Sequence, residues 1–188
     1  VVIGMILACL SVVSAEAGVL KDYVNKDSGV FQWDKVREVK SDGFRVHFLI
    51  FTSQKWQNMT WQHRLRILVP EKKKDNYKLG LLLITGSGSG EEEIKYISQI
   101  VKATGVVGAI LHDIPNQPLF GGKTEDEIIS YTFQKYMETK DETWPLLLPM
   151  SKGTIKAMDL IQLYLDNELN NSVTDFVLTG ASKRGWTT

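Results

Sequence analysis

Three apolar runs limit the possible folds of this chain more than any other feature. They cover Leu79–Thr85, Val106–Leu111 and Val173–Thr179. The first run is continuous, and it and the second are typical of strands that are covered on both faces, as in a parallel sheet. The third is apolar and rich in β-forming residues, and it predicts a further strand. The segments between them carry apolar residues at helical spacing. An alternation of buried strands and helices predicts an α/β domain with crossover helices.

The preceding part of the chain has a different pattern. Phe44–Thr52 and Trp61–Val69 alternate and are rich in β-forming residues, with a polar turn between them. They predict an antiparallel pair of strands. Two antiparallel strands followed by parallel strands with crossover helices match the N-terminal part of an α/β-hydrolase-like sheet. Helices are predicted over Glu91–Ala103, from a capping box that begins at Thr124, and over Thr154–Leu169.

Length and charge exclude some classes of partner. The 188 residues fit one domain or a large part of one, and 43% of them are hydrophobic. Lys plus Arg and Asp plus Glu number 22 each, so the formal net charge is zero. No global positive field would attract nucleic acid, and we therefore expect no nucleic-acid partner.

The N-terminus has the composition of a secretory leader. An apolar run, Val1–Val13, is followed by small residues that end at Ala15 or Ala17. We interpret residues 1–17 as a signal peptide that begins within its apolar region, and 18–188 as the remaining domain. A buried strand or helix is the alternative. The run is too short for a stable membrane span, so a secreted protein is expected. The only cysteine, Cys9, lies in this leader, and no disulfide is expected beyond it.

A serine follows the last apolar run. Ser182 lies between Gly180 and Gly185, where a strand is expected to turn into a helix. A tight turn of this kind exposes the nucleophile of an α/β hydrolase, although the G-x-S-x-G pattern would require glycine in place of Arg184. The alternative is an ordinary strand-end cap. The sequence therefore offers Ser182 as a candidate nucleophile with a displaced glycine.

A glycine-rich loop, Gly86–Gly90, follows the first apolar run. It does not match a dinucleotide loop, since Glu91 takes the place of the third glycine, and it lacks the Gly-Lys-Ser/Thr of a P-loop. The remaining functional interpretation is an oxyanion loop formed by Gly86, Ser87 and Gly88, whose N–H groups would face a carbonyl oxygen. A plain turn is the alternative. No cofactor is expected.

No catalytic base is evident in the sequence. All three histidines, His47, His63 and His112, precede Ser182, whereas the hydrolase order is nucleophile, acid, histidine. His112 and Asp113 end a predicted strand, where they could contact substrate or simply serve as a polar strand end. No spacing of His, Asp or Glu predicts a metal site.

Five motifs, in order, resemble those of the PhoPQ-activated pathogenicity-related protein family, which includes the secreted autocrine proliferation repressor of social amoebae. The resemblance begins at about Leu20 and extends to the end of the chain. Its motifs are Thr52–Trp56, Ile114–Leu119, Thr124–Asp126, Thr143–Met150 and Gly180–Thr187.

The resemblance implies an α/β-hydrolase-like fold, a secreted protein and an elbow in which the displaced glycine is usual. The elbow is also similar to that of glucuronoyl esterases, which implies an oxyanion role for the backbone N–H, and the charge, of Lys183. Members of the family are longer, so the acid and histidine of a triad are expected after Thr188 and this fragment is expected to be inactive. The substrate would be a small ester, amide or peptide. The alternative is a non-catalytic signalling or virulence-associated protein that binds a partner such as a cell-surface receptor.

Overall fold

A computed structural model describes residues 18–72 and 78–188. The predicted signal peptide lies outside the described residues. Within these ranges, six strands form one mixed sheet, which four α-helices and a terminal 3-10 helix accompany. The elements, in chain order, are α1 Val19–Asn25, β1 Gln32–Ser41, β2 Phe44–Trp56, β3 Met59–Pro70, β4 Leu79–Ile84, α2 Glu91–Thr104, β5 Val107–Leu111, α3 Glu125–Thr139, α4 Leu147–Leu169, β6 Asp175–Gly180 and the 3-10 helix Ser182–Thr187.

The sheet confirms the predicted change from antiparallel to parallel pairing. Its strand order is β1-β2-β3-β5-β4-β6. The first three strands and the β3–β5 pair are antiparallel, whereas β4 pairs in parallel with both β5 and β6. Sequence reasoning did not single out β1, which pairs with β2 and forms one edge of the sheet. Nearly all of its residues are exposed.

Apolar side chains fill both faces of the sheet. One core cluster lies between the sheet and α4 and includes Phe51, Trp61 and Tyr164. A smaller cluster lies on the opposite face, where Ile97 and Val101 of α2 pack against the sheet. Because helices cover both faces of the sheet at β4 and β5, the sequences of these strands are almost entirely apolar.

Helix α4 begins seven residues before its predicted start. Its first turn contains Pro149. Proline is tolerated there because the first N–H groups of a helix have no intrahelical acceptor. The capping box of α3 is as predicted, with reciprocal contacts between Thr124 and Glu127.

Candidate active site

The predicted site segments lie at one edge of the sheet. Because β4, β5 and β6 are parallel neighbours, their carboxyl ends meet there. The Gly86–Gly90 loop follows β4, His112 and Asp113 follow β5, and Ser182 follows β6. This edge is where α/β sheets bind ligands.

Ser182 lies at a sharp turn between β6 and the 3-10 helix. Only Ala181 separates the strand from the helix. Ser182 is exposed and has a φ of 54°, in the left-handed region that non-glycine residues seldom adopt. A strained residue between a strand and a helix, with its side chain open to solvent, has the conformation of a nucleophile elbow.

The displaced glycine has a steric explanation. A Cβ atom at Gly185 would lie 3.0 Å from the carbonyl oxygen of Gly180, and one at Gly180 would lie 2.7 Å from that of Arg184. The backbones at 180 and 184–185 are therefore in close contact. A side chain at 185 would therefore approach the Gly180 carbonyl, whereas the Arg184 side chain extends to the carbonyl of Ile114 and is accommodated there.

The Arg184 side chain connects the elbow to its surroundings. Its two terminal nitrogens donate to the two carboxylate oxygens of Glu125, at 2.7 and 2.8 Å. Its Nε donates to the carbonyl of Ile114, in the loop after β5, at 2.7 Å. Hydrogen bonds from Arg184 are the main reason that the pKa of Glu125 is lowered to about 2. The Gln117 side chain also binds Glu125: its Nε2 donates to the carboxylate, and its Oε1 accepts from the backbone N–H of Glu125.

The Lys183 side chain is engaged in the same cluster. Its ammonium lies 2.6 Å from Glu125 and 2.8 Å from Asp126, and the side chain is 9% exposed. Burial opposes its charge, but these hydrogen bonds raise the pKa of Lys183. The charge is therefore balanced by two carboxylates. What remains available for an oxyanion is the backbone N–H of Lys183, in a first helical turn where such groups lack intrahelical acceptors.

The Gly86–Gly88 loop lies beside this cluster. A side chain at Gly86 would overlap the Arg184 guanidinium, so the loop and the elbow are in direct contact. The carbonyl of Gly86 accepts a hydrogen bond from the backbone N–H of Asp113 at 3.1 Å. The carbonyl of Gly88 accepts one from Arg64 at 2.8 Å. The carbonyls of Gly86 and Gly88 are therefore both engaged within the protein.

Arg64 and Asp113 form an ion pair, and both residues are hydrogen-bonded to the loop. Arg64 donates two hydrogen bonds, both 2.8 Å long, to the Asp113 carboxylate. Burial opposes ionisation of Asp113, yet the hydrogen bonds from Arg64 keep its pKa below the ordinary value. This carboxylate is thus paired with an arginine and not with a histidine.

His63 is hydrogen-bonded to a serine, but not to Ser182. Its Nε2 lies 2.9 Å from Ser53 Oγ, and its Nδ1 lies 3.1 Å from the carbonyl oxygen of Asp113. Both His63 and Ser53 are 1% exposed. Burial lowers the pKa of His63 to about 4. A buried serine is inaccessible to substrate, so this pair has a structural role.

The other two histidines are also buried and separate from Ser182. His47 Nδ1 lies 2.9 Å from the Tyr164 hydroxyl, beneath α4. Neither ring nitrogen of His112 has a hydrogen-bond partner among the described residues, and burial with the nearby Arg66 and Arg64 lowers its pKa to about 4. Within the described ranges, no histidine is hydrogen-bonded to Ser182.

Two further properties concern the described residues as a whole. Across 18–72 and 78–188, no group of three or more His, Cys, Asp or Glu side chains could hold a metal ion. In the same ranges, no helix has the length and apolarity that crossing a membrane requires.

A family model described as PhoPQ-activated pathogenicity-related protein matches residues 20–188. The chain belongs to this family. A curated relative is autocrine proliferation repressor protein A of Dictyostelium discoideum, 29% identical over 209 residues, which cover 98% of this chain and 40% of the relative.

Solved structures of esterases share the fold of this PhoPQ-related protein. The glucuronoyl esterase of Solibacter usitatus superposes with a TM-score of 0.52 and 14% identity, over 85% of this chain and 48% of the esterase. The acetyl xylan esterase of Paenibacillus sp. R4 gives 0.52 and 12%, over 88% and 50%. The chain thus spans half or less of each of these proteins. The likeness establishes an α/β-hydrolase fold for this chain.

The family motifs meet in two places. Ile114–Leu119, Thr124–Asp126 and Gly180–Thr187 contact one another around Glu125 and Arg184. Thr52–Trp56 and Thr143–Met150 meet beneath α4, where Gln54 and Trp56 donate to carbonyl oxygens. Sequence reasoning missed Glu125 and Arg64 as site residues, because each is an ordinary charged residue locally and its partners are distant in sequence.

Proposed function

We propose that the full-length protein is a serine hydrolase that cleaves an ester or amide bond, with Ser182 as nucleophile. The carrying observation is the exposed Ser182 with its φ of 54° at the carboxyl end of β6. Its hydroxyl would attack the carbonyl carbon, giving an acyl-enzyme that water then hydrolyses. The N–H of Lys183 and those of the Gly86–Gly88 loop would stabilise the oxyanion.

This activity requires an acid and a histidine from outside the present chain. The relatives are about twice as long or longer, and the described histidines are buried elsewhere. We therefore expect residues 1–188 alone to be inactive. A histidine on a strand end in the remainder of the protein would serve as general base, as in other hydrolases of this fold.

A fluorophosphonate probe tests the nucleophile. Full-length protein is expected to be labelled, and Ser182→Ala is expected to abolish labelling while leaving the thermal unfolding unchanged, because the side chain is small and exposed. Ser172→Ala, an exposed serine before β6, is the matched control and should label normally. Equal labelling of Ser182→Ala would contradict the assignment.

A second candidate is a signalling protein that uses the hydrolase fold to bind a receptor. It is supported by the 29% identity to a protein named autocrine proliferation repressor. The two candidates differ in whether Ser182 is required. If full-length Ser182→Ala still represses proliferation of cells that respond to the wild type, binding and not hydrolysis is the function in that assay.

We also propose that the protein is secreted, with residues 1–17 as its leader. The support is the apolar run and small residues of the sequence. N-terminal sequencing of protein collected from culture medium should give a first residue of Glu16 or Gly18. Retention of residues 1–15 in that protein would contradict the proposal.

A further inference from the structure

We propose that the Arg184–Glu125 pair is a positioning device that fixes the distance between the two walls of the oxyanion site. One wall is the elbow with the N–H of Lys183, and the other is the Gly86–Gly88 loop. The inference rests on the proposed function. It assigns Glu125 a role at a site that it does not itself touch.

The geometry makes Arg184 a spacer. Its backbone lies in the elbow, and its guanidinium occupies the space that a side chain at Gly86 would need. The loop can therefore approach the elbow only as far as this guanidinium allows. Its Nε is also bonded to the carbonyl of Ile114, which fixes the stem of the side chain.

Glu125 determines where the guanidinium lies. It receives the two nitrogens of Arg184 in a bidentate pair, which restricts both position and orientation more than a single contact would. Glu125 is in turn fixed by the Gln117 side chain. That side chain donates to the Glu125 carboxylate at 2.6 Å and accepts from the Glu125 backbone N–H at 2.8 Å.

The backbone at Glu125 is itself unusual. Its φ is +49°, although it is the first residue of α3 and is not a glycine. Such a conformation persists only where the surroundings enforce it. The contacts around Glu125 are those to Gln117, Lys183 and Arg184. The helix is capped by Thr124 and Glu127 and does not need the Glu125 carboxylate for this purpose. The conformation of Glu125 is therefore attributed to its three side-chain partners.

The test is Glu125→Gln in the full-length protein, measured in two ways. The amide retains the size of the side chain but offers only one acceptor oxygen to Arg184. We expect the rate constant for fluorophosphonate labelling of Ser182 to fall about 10- to 100-fold, because a displacement near 1 Å has effects of that size. With a substrate, kcat should fall and KM should change little. Hydrogen exchange should increase at 86–88 and 183–185 together.

Glu138→Gln is the matched control. It removes the carboxylate of an exposed ion pair with Lys135 on the same helix. Neither labelling nor exchange at the two walls should change. In Arg184→Lys, which lacks the bidentate fork, Glu125→Gln should have little additional effect on the labelling rate, because the two residues act as one unit.

Three results can be distinguished. Normal labelling of Glu125→Gln, or increased exchange at only one wall, overturns the positioning role. Suppose instead that the lower labelling rate is fully explained by a lower free energy of unfolding, and that the effects of the two substitutions add in the double variant. The pair then has a merely structural role, and the positioning role is also overturned. If wild type is not labelled at all, the proposed function fails, while the exchange measurement still decides whether the pair couples the two walls.

Discussion

The protein places two serines in opposite settings. Ser53 has a histidine partner at hydrogen-bond distance but lies 1% exposed under α4. Ser182 is exposed and strained at the end of β6, but no described histidine reaches it. The difference shows that a serine–histidine contact is not evidence of catalysis unless the hydroxyl is also accessible. It also separates the buried surroundings of Ser53 from the cluster of charged side chains beside the exposed Ser182.

The two regions should lose stability in different ranges of pH. The folded pKa of His63 is about 4, below its unfolded value of 6.5, so the unfolded chain binds more protons as pH falls through this range. Stability should decrease from pH 6.5 to 4, by an amount of the order of 3 kcal/mol for a histidine shifted this far. His112 adds to the decrease in the same range.

The elbow region should respond only at lower pH. The folded pKa of Glu125 is about 2, below its unfolded value of 4.5, so its contribution is present above pH 4.5 and is lost as pH falls towards 2. Unfolding by denaturant at a series of pH values should show that Glu125→Gln leaves the decrease from 6.5 to 4 intact. A smaller decrease in that upper range would mean that the two regions are coupled.

A substitution in the buried region should affect stability and not the site. Gln54 is fully buried, accepts from the Tyr23 hydroxyl and donates to the Pro149 carbonyl. Gln54→Leu leaves both partners without a bond and should cost about 1–3 kcal/mol in the free energy of unfolding. The adjacent exposed Lys55→Ala should change it by less than about 0.5 kcal/mol. A Gln54→Leu protein as stable as wild type would contradict the assigned role of these bonds.

A substitution in the open region should have the reverse effect. Gly86→Ala forces the new methyl group against the Arg184 guanidinium. The labelling rate of full-length protein should fall about tenfold or more, equivalent to about 1.4 kcal/mol in the barrier, while unfolding changes less. Ser89→Ala, an exposed residue of the same loop, should label as wild type. Unaltered labelling of Gly86→Ala would show that the loop is not part of the site.

The smallest effect is expected at Asp126. Its carboxylate binds Lys183 at 2.8 Å but is 85% exposed, and Glu125 also pairs with Lys183. Exposed ion pairs contribute little to stability. Asp126→Asn should therefore change the labelling rate less than twofold and the midpoint of thermal unfolding by no more than a degree or two. A larger change than that of Glu125→Gln would place the balance of the Lys183 charge on Asp126 instead.

Much of the fold could be predicted from the sequence, whereas only part of the site could. Apolar runs identify β4 and β5 because side chains pack on both faces of these strands, and a capping box identifies α3. The apolar, β-rich run Val173–Thr179 identifies β6, although this edge strand contains no fully buried residue. The polar, exposed β1 gives no such signal. The Glu125–Arg184 pair could not be predicted because it joins residues 59 positions apart, and their proximity is a property of the sheet order.

Mapping the site of a covalent adduct tests the account most directly. Full-length protein is treated with a fluorophosphonate probe and digested, and the modified residue is identified by mass spectrometry. We predict a single major adduct on Ser182 and none on Ser53, because access and backbone geometry, and not the nearby His63, determine reactivity. An adduct on Ser53, or one on Ser182 only after unfolding, would contradict the central claim.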